Sequence, residues 1–407
     1  MSSPQPFIDA TRARSRQLDR RLPGIERSGS VAELVRSGVP SGKLETWKYT
    51  PIKAFFESPF ADAEAPTTAH GRAESRFLTF AGATPITLGG AIPDLSAVTP
   101  KQGVRITSIR ETHARLNEGI DFERHPLAHV NTALLEDALV IDVDASVDAG
   151  TLDLRFGSGA DTANVSHVLI RLGAGSALKL VEQRGEDLPT NSVLEMHIGD
   201  KARLEHVRVL PAGAAACWHL VCASVGANGT YDLIGHAMGS TTRRSDIHVR
   251  LVGDHAATNL DLACATTGRD RLDHQVVVEH VGRDTVSRQI VHGIAAGSSE
   301  LTFNGRIHIH PGAQRSDARL TNKNLLLDRK ARVNTKPELE IYANDVKCSH
   351  GATVGQIDPV QLFYLRTRGL DEVTARAMLT RAFLASRLTP WLHDAGVLGL
   401  YTELFSQ

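Results

Sequence analysis

The sequence has few cysteines, no excess of charge and no long apolar run, and each absence excludes a class of protein. Its 407 residues include four cysteines without Cys-x-x-Cys spacing, so we expect free thiols in a reducing compartment. The formal net charge is −1, which argues against a dedicated nucleic-acid binder. No stretch approaches the length of a membrane span, and the first residues lack the apolar core of a signal peptide. We therefore predict a cytoplasmic protein with neither a membrane nor a nucleic acid as partner.

Motifs of two common enzyme classes are also missing. Gly42-Lys43 follows Gly38 too closely for a phosphate-binding loop, and Leu44 stands where a Mg²⁺-binding hydroxyl is required. No Gly-x-Ser-x-Gly nucleophile elbow is complete anywhere in the sequence. We therefore expect no intrinsic ATP hydrolysis, and we assign no catalytic residue.

Apolar-Gly steps recur through the middle of the chain and indicate a repeat architecture. Five such steps follow one another at intervals of 26 to 29 residues, at Gly173, Gly199, Gly226, Gly253 and Gly282. Gly297 and Gly312 then follow at about half that period, and apolar and polar residues alternate between the glycines as in strands. We expect the glycines to supply corners with positive φ. The pattern predicts a mainly β protein built as a parallel β-helix.

A β-sandwich with evenly spaced hairpins is the alternative fold. The dipeptides Asn228-Gly229 and Asn304-Gly305 are typical of two-residue hairpin turns. The near-constant period favours the solenoid.

The two ends of the sequence are helical in pattern. An amphipathic helix is predicted within residues 8–36, before a break at 38–42. We divide the chain into a mainly helical region, 1–95, a β-helix, 96–357, and a helical C-terminal domain, 358–407.

The start of the C-terminal domain carries clear helix signals. Asp358 is a predicted N-cap, Pro359 a first helical residue and Gly369 a stop. A second helix begins near Asp371 and ends before Thr389-Pro390. Its predicted apolar stripe consists of Val373, Ala377 and Leu384.

Cys348 and His350 are the strongest candidate site. If residues 342–350 form a strand, the two side chains project from the same face. A thiolate beside an imidazole can bind iron or zinc, or act as a nucleophile with its base. A packed cysteine beside a surface histidine is the alternative. His308 and His310 are also two residues apart; they are predicted to form either a metal site or a solvated strand face that contains Arg306. Two ligands make no complete metal site, so other residues or a partner must supply the rest.

Five segments resemble one known family. They are ETWKYTP (45–51), RSDARLTNKNLLL (315–327), KPELEI (336–341), NDVKCSHGATVG (344–355) and QLFYLRTRG (361–369). Together they resemble the SufB/SufD family of iron–sulfur cluster assembly proteins.

The resemblance implies a right-handed parallel β-helix between helical domains, working as a non-catalytic subunit of a complex. The β-helix is expected to pair with a SufB-like chain, and a transient iron–sulfur cluster forms at that interface, with none stably bound by this chain alone. Cys348 and His350 match the positions that face the interface. A SufC-like ABC ATPase is expected to dock on the C-terminal domain. The expected docking residues are Asp358, Pro359, Gln361, Leu362, Phe363, Tyr364, Arg366, Arg368 and Gly369.

The sequence departs from the SufB type at two places. SufB-type chains carry a Cys-Gly-Ala-His-Thr-x-Pro segment before the last coils. The matching residues here, 331–337, contain no cysteine. In addition, Gly351 stands at the position of a glutamate that is essential in SufB-type chains. The chain therefore resembles the D-type subunit. Cys217, Cys222 and Cys264 match no motif and are predicted core thiols.

Two rival functions stay open. One is a purely structural interaction protein, in which Cys348 and His350 are inert. The other is a carbohydrate-active β-helix enzyme, which would need clustered catalytic residues on one outer strand face. Because the end of a solenoid exposes strand edges, the isolated chain can also be expected to form a homodimer.

Overall fold

The computed structural model confirms a mainly β chain built around a parallel solenoid, with helices at both ends. It describes residues 4–21, 25–57, 77–89, 95, 98–157, 164–185 and 188–405. Within these residues the strands form two sheets of nine, called sheet A and sheet B below. Among the described helices, none is both long and apolar enough to cross a membrane.

The elements follow one another in this order. Sheet A contains β1 (Ala83–Gly89), β4 (Asp148–Gly157), β6 (Ala177–Arg184), β8 (Arg203–Leu210), β10 (Thr230–Met238), β12 (Ala257–Thr266), β14 (Val286–Ala295), β16 (Asp317–Leu326) and β18 (Lys347–Gly355). Sheet B contains β2 (Val104–Ser108), β3 (Leu139–Val143), β5 (Asn164–Leu172), β7 (Thr190–Ile198), β9 (Ala216–Val225), β11 (Thr242–Leu251), β13 (Arg271–His280), β15 (Glu300–Ile309) and β17 (Arg332–Ile341). The helices are α1 (Gln5–Arg21), α2 (Ser28–Ser37), α3 (Lys53–Phe56), α4 (Leu127–Leu134), α5 (Pro359–Thr367), α6 (Glu372–Ala385), α7 (Pro390–Asp394) and α8 (Val397–Phe405).

Strand pairing excludes the β-sandwich. Among the described strands every pair is parallel except β2 with β3, and a hairpin cannot join parallel strands. Asn228-Gly229 lies at a solenoid corner, and Asn304-Gly305 lies inside β15. Each coil contributes one strand to each sheet, and the apolar side chains between the sheets form one continuous core.

The corner glycines are explained by close stacking of backbones, and the prediction that they need positive φ was wrong. Gly173, Gly199, Gly226, Gly253 and Gly282 all lack positive φ. A Cβ added at Gly282 would lie 2.3 Å from the carbonyl oxygen of Gly253 in the coil before. Such a contact is far inside van der Waals distance. Gly297, at the opposite corner, does have a φ of 66°.

Positive φ occurs two residues after each of the five corner glycines from Gly173 to Gly282. The positions concerned are Gly175, Lys201, Asn228, His255 and Asp284. Each donates its backbone N–H to a carbonyl of the next coil, as from Asn228 to Asp254 at 2.9 Å. The backbone ladder therefore continues through the corner instead of ending with the strands.

The N-terminal helices cover the outer face of sheet B. Two helices, α1 and α2, replace the single one predicted within residues 8–36. They pack with α4 over β5, β7 and β9 in one apolar cluster. The buried Arg244 guanidinium stacks on Trp47, 3.8 Å from the ring centre, and pairs with Asp246 at 2.9 Å. This N-terminal segment is thus anchored to the solenoid by apolar packing, by the stacking of Arg244 on Trp47 and by a hydrogen bond from Arg244 to the Thr46 carbonyl at 2.6 Å.

The elements cross the predicted division between the N-terminal region and the β-helix. Strand β1 lies within 1–95 but pairs with β4 of the solenoid. Helix α4 lies within 96–357 but packs with α1 and α2. The division at 95/96 stays a prediction.

The C-terminal helices pack on the outer face of sheet A. Asp358 caps α5 by accepting the N–H of Val360 at 2.8 Å, and Gly369 follows the helix with a φ of 92°, as predicted. The predicted apolar stripe of α6 was wrong in part. Leu384 is buried, but Val373 is 79% exposed and Ala377 is exposed too, because Ala375 and Thr380 form the buried face.

A matched pair of substitutions tests whether the corner glycines are required by close stacking of the backbones. Gly282→Ala should lower the free energy of unfolding by about 1–3 kcal/mol, because its methyl group overlaps the backbone of the coil before. Gly312→Ala, at the same corner one coil later, has no atom within 4 Å of the new Cβ and no positive φ. It should therefore be neutral or slightly stabilising. Urea unfolding followed by circular dichroism distinguishes the two, and equal destabilisation would contradict the stacking explanation.

Candidate functional site at the open end of the solenoid

The last coil of the solenoid is uncovered. Strands β17 and β18 are the final members of sheets B and A, so among the described residues the outer edge of each has no paired strand. Apolar side chains near these edges are exposed, namely Ile341, Tyr342 and Val354. An unpaired parallel edge with apolar neighbours is a template for another chain.

Cys348 and His350 both lie on β18, at this open end. Residues 342–350 are not one strand as predicted, because a turn separates β17 from β18. The two side chains still project from one face: Cys348 pairs with Ala318 and His350 with Leu320 in the register of β16. Both of those β16 residues are buried in the solenoid core. Cys348 and His350 therefore face the core side of the last coil, about 6–7 Å apart along the strand.

The two side chains differ in exposure. Cys348 is half-buried against the apolar core, whereas His350 is exposed. Burial raises the pKa of the Cys348 thiol to about 11, with a smaller contribution from Asp317. The uncharged thiol is thus the stable form in the isolated chain, and a metal ion would have to displace its proton.

Two carboxylates of β17, Glu338 and Glu340, are paired with basic side chains. Glu338 pairs with Lys336 at 2.5 Å, and Glu340 pairs with Arg306 and with His308 at 3.4 Å. These contacts lie on the outer side of β15 and β17. Glu338 and Glu340 therefore lie on the outer side of sheet B, not on the core side of β18 that Cys348 and His350 face.

His308 and His310 form a separate pair on the outer face of β15. Their rings stack with centroids 4.2 Å apart, and His310 Nε2 lies 2.9 Å from Glu279. Each ring is half-buried and contacts a carboxylate. The two rings share this half-exposed face with Arg306, and a metal site at the pair stays a prediction.

No third ligand completes the site within the described chain. In these residues one group of three His, Cys, Asp or Glu side chains is close enough for a shared metal ion, and it includes neither Cys348 nor His350. A metal ion bound by Cys348 and His350 would therefore need further ligands from another chain. Sequence reasoning missed that other group, which combines His125, Cys222 and His248.

Comparison with known proteins identifies the family. Residues 155–383, more than half of the chain, match the family model described as "SUF system FeS cluster assembly, SufBD core domain". The chain belongs to the SufBD family.

Two curated relatives named SufD extend the match over most of the chain, and a third relative covers about half of it. The iron–sulfur cluster assembly protein SufD of Escherichia coli is 28% identical over 380 residues, covering 90% of this chain and 88% of the relative. SufD of Bacillus subtilis is 25% identical over 300 residues, covering 72% and 68%. The chloroplastic protein ABCI7 of Arabidopsis thaliana is 34% identical over 200 residues, covering 48% and 41%. Within the SufBD family the chain is therefore SufD-like.

Helix α5 of this SufBD chain is exposed to solvent along its whole length. No residue of that helix is buried, and Leu362 is the half-buried member of the predicted docking set. Large apolar side chains are strongly exposed there and on the first turns of α6, at Val360, Phe363, Tyr364, Val373 and Met378. We call these five residues the α5–α6 patch. Large apolar side chains exposed together on two packed helices are typical of a surface that binds a protein partner.

The raised pKa of Cys348 predicts slow alkylation. At pH 8 roughly one thiol in a thousand is ionised at a pKa of about 11, against roughly one in ten at the ordinary value of 9.0. Iodoacetamide should therefore label native Cys348 about a hundredfold more slowly than a free cysteine, and the rate should rise with pH. Mass spectrometry should find the three buried cysteines unlabelled. Rapid labelling, or labelling that persists in Cys348→Ser, would contradict this picture.

Proposed function

We propose that this SufD-like chain is a non-catalytic scaffold subunit of cytoplasmic Suf iron–sulfur cluster assembly. One observation carries the proposal: Cys348 and His350 project from the core side of an edge strand that no further coil covers among the described residues. A site of this kind has ligands for iron and remains open to a second chain. The names of the SufD relatives support the same role.

The partner at the open end is a SufB-like chain. Its strands extend sheets A and B by pairing with β18 and β17, which would satisfy the free backbone groups of both edges. Ile341, Tyr342 and Val354 would be buried in the process. In the absence of that partner, a second copy of this chain can use the same edges to form a homodimer.

The cargo is a nascent iron–sulfur cluster. Cys348 thiolate and His350 imidazole are suitable iron ligands, and the remaining ligands come from the SufB-like chain. Because the thiol of the isolated chain is protonated, iron binding must release that proton to solvent. A site completed by two chains keeps the cluster labile, which suits its transfer to an acceptor.

A SufC-like ABC ATPase docks on the α5–α6 patch. Phe363 is 68% exposed, and Arg368 lies over the ring of Tyr364 at 5.2 Å from its centre. Aromatic and arginine side chains are the residues that most often dominate the energy of protein interfaces. The chain has no phosphate-binding loop of its own, so nucleotide hydrolysis would come from this partner.

Pairwise co-purification tests the two surfaces separately. The tagged chain is co-expressed either with the SufB-like chain or with the ATPase. Val354→Glu should lose the SufB-like chain and keep the ATPase, because it places a charge where a new coil would stack. Phe363→Glu should do the reverse.

Val35→Glu is the matched control. Val35 is an exposed apolar residue on α2, away from both surfaces, so this variant should keep both partners. The proposal is wrong if the unaltered chain binds neither partner, or if the two test variants behave like the control.

A further inference from the structure

Three metal-binding side chains from distant parts of the sequence meet beneath α4. His125 lies two residues before that helix, Cys222 lies on β9 and His248 on β11. All three are buried, and one ligand atom from each lies within 4.8 Å of the others. Cys222 and His248 are direct partners in the pairing of β9 with β11, so their side chains share one face. They are 26 residues apart, which is the period of the solenoid.

The two imidazoles have the spacing of ligands on one ion. His125 Nε2 lies 3.3 Å from His248 Nδ1. Two nitrogens bound to a tetrahedral zinc ion at about 2.0–2.1 Å would lie roughly 3.4 Å apart. An ion could therefore occupy the position between the rings with little displacement of either.

His248 is oriented as metal-binding histidines usually are. Its other nitrogen, Nε2, lies 2.7 Å from Glu279, which also contacts His310 at 2.9 Å. If Nε2 donates its hydrogen to this carboxylate, Nδ1 keeps its lone pair and points at His125. A carboxylate behind a metal-bound imidazole is the usual outer contact of zinc sites.

His125 is held less completely by hydrogen bonds. Its second nitrogen, Nδ1, is buried and has no hydrogen-bond partner among the described residues. When the ring carries its hydrogen on Nδ1, the Nε2 lone pair points toward His248 Nδ1, 3.3 Å away.

We propose that His125, Cys222 and His248 bind one zinc-like divalent ion, independent of the Cys348–His350 half-site. Two imidazoles and a thiolate are a ligand set for a borderline-soft ion, and the fourth position is left to water. On binding, the S–H bond of Cys222 breaks, the sulfur–metal bond forms and the proton leaves to solvent. The thiolate and the Glu279 carboxylate together balance the charge of the ion. The ion ties the start of α4 to β9 and β11.

Metal analysis of the purified full-length chain tests the proposal. We expect about one zinc per chain by inductively coupled plasma mass spectrometry, and loss of that zinc in Cys222→Ala. Cys264→Ala is the matched control, because it removes another buried thiol from the solenoid core and should keep the zinc. Cys348→Ala should keep it as well, which separates this site from the proposed cluster site. Glu279→Gln should weaken zinc binding by about 10- to 100-fold.

Cobalt substitution keeps the test decisive if Cys222→Ala fails to fold. The unaltered chain, stripped of metal and refolded with Co²⁺, should show a thiolate-to-cobalt charge-transfer band that saturates at one equivalent. Absence of both zinc and this band would overturn the proposal, as would zinc that persists in Cys222→Ala. Iron or copper at one equivalent, lost in Cys222→Ala, would support the site and overturn the choice of zinc.

Discussion

Every coil of the solenoid depends on the next one for its backbone hydrogen bonds. Strands pair in parallel register from coil to coil, and the corners continue the ladder through residues such as Asn228 and Asp284. The glycines before them let successive backbones approach closely. A structure of this kind cannot end without leaving one set of strand edges unpaired. The open end at β17 and β18 is therefore a consequence of the architecture, and it is where the candidate ligands lie.

Helices cover the outer faces of both sheets, whereas no described element covers the last coil. The N-terminal segment covers sheet B, with Trp47 over the buried Arg244, and α6–α8 cover sheet A, where the Tyr401 hydroxyl contacts His236 at 3.0 Å. Helix α5 alone among the C-terminal helices has no buried residue. In the described part of the chain, the edges of β17 and β18 and the α5–α6 patch are thus uncovered, and they lie on different elements. That separation would let one subunit bind a paralogue and an ATPase at the same time.

Periodic features of the fold could be predicted from the sequence, and long-range features could not. The glycine period and the caps at Asp358 and Gly369 are local signals, so they identified the solenoid and α5 correctly. The exposed Val373 was misplaced because apolar character at helical spacing does not distinguish a buried face from an exposed one. Cys222 and His248 are one period apart and could have been paired from the repeat, but His125 comes from another element and carries no signal of this kind.

Cluster formation in the assembled complex tests the central claim most directly. The chain would be co-expressed with SufB-like and SufC-like partners and reconstituted anaerobically with iron and sulfide, and the cluster absorbance of His350→Ala compared with that of His393→Ala. His393 is an exposed histidine of α7, far from β18 in the sequence. We predict that the complex stays intact in both variants and that cluster absorbance falls only in His350→Ala. Equal absorbance in the two variants would contradict the assignment of the site.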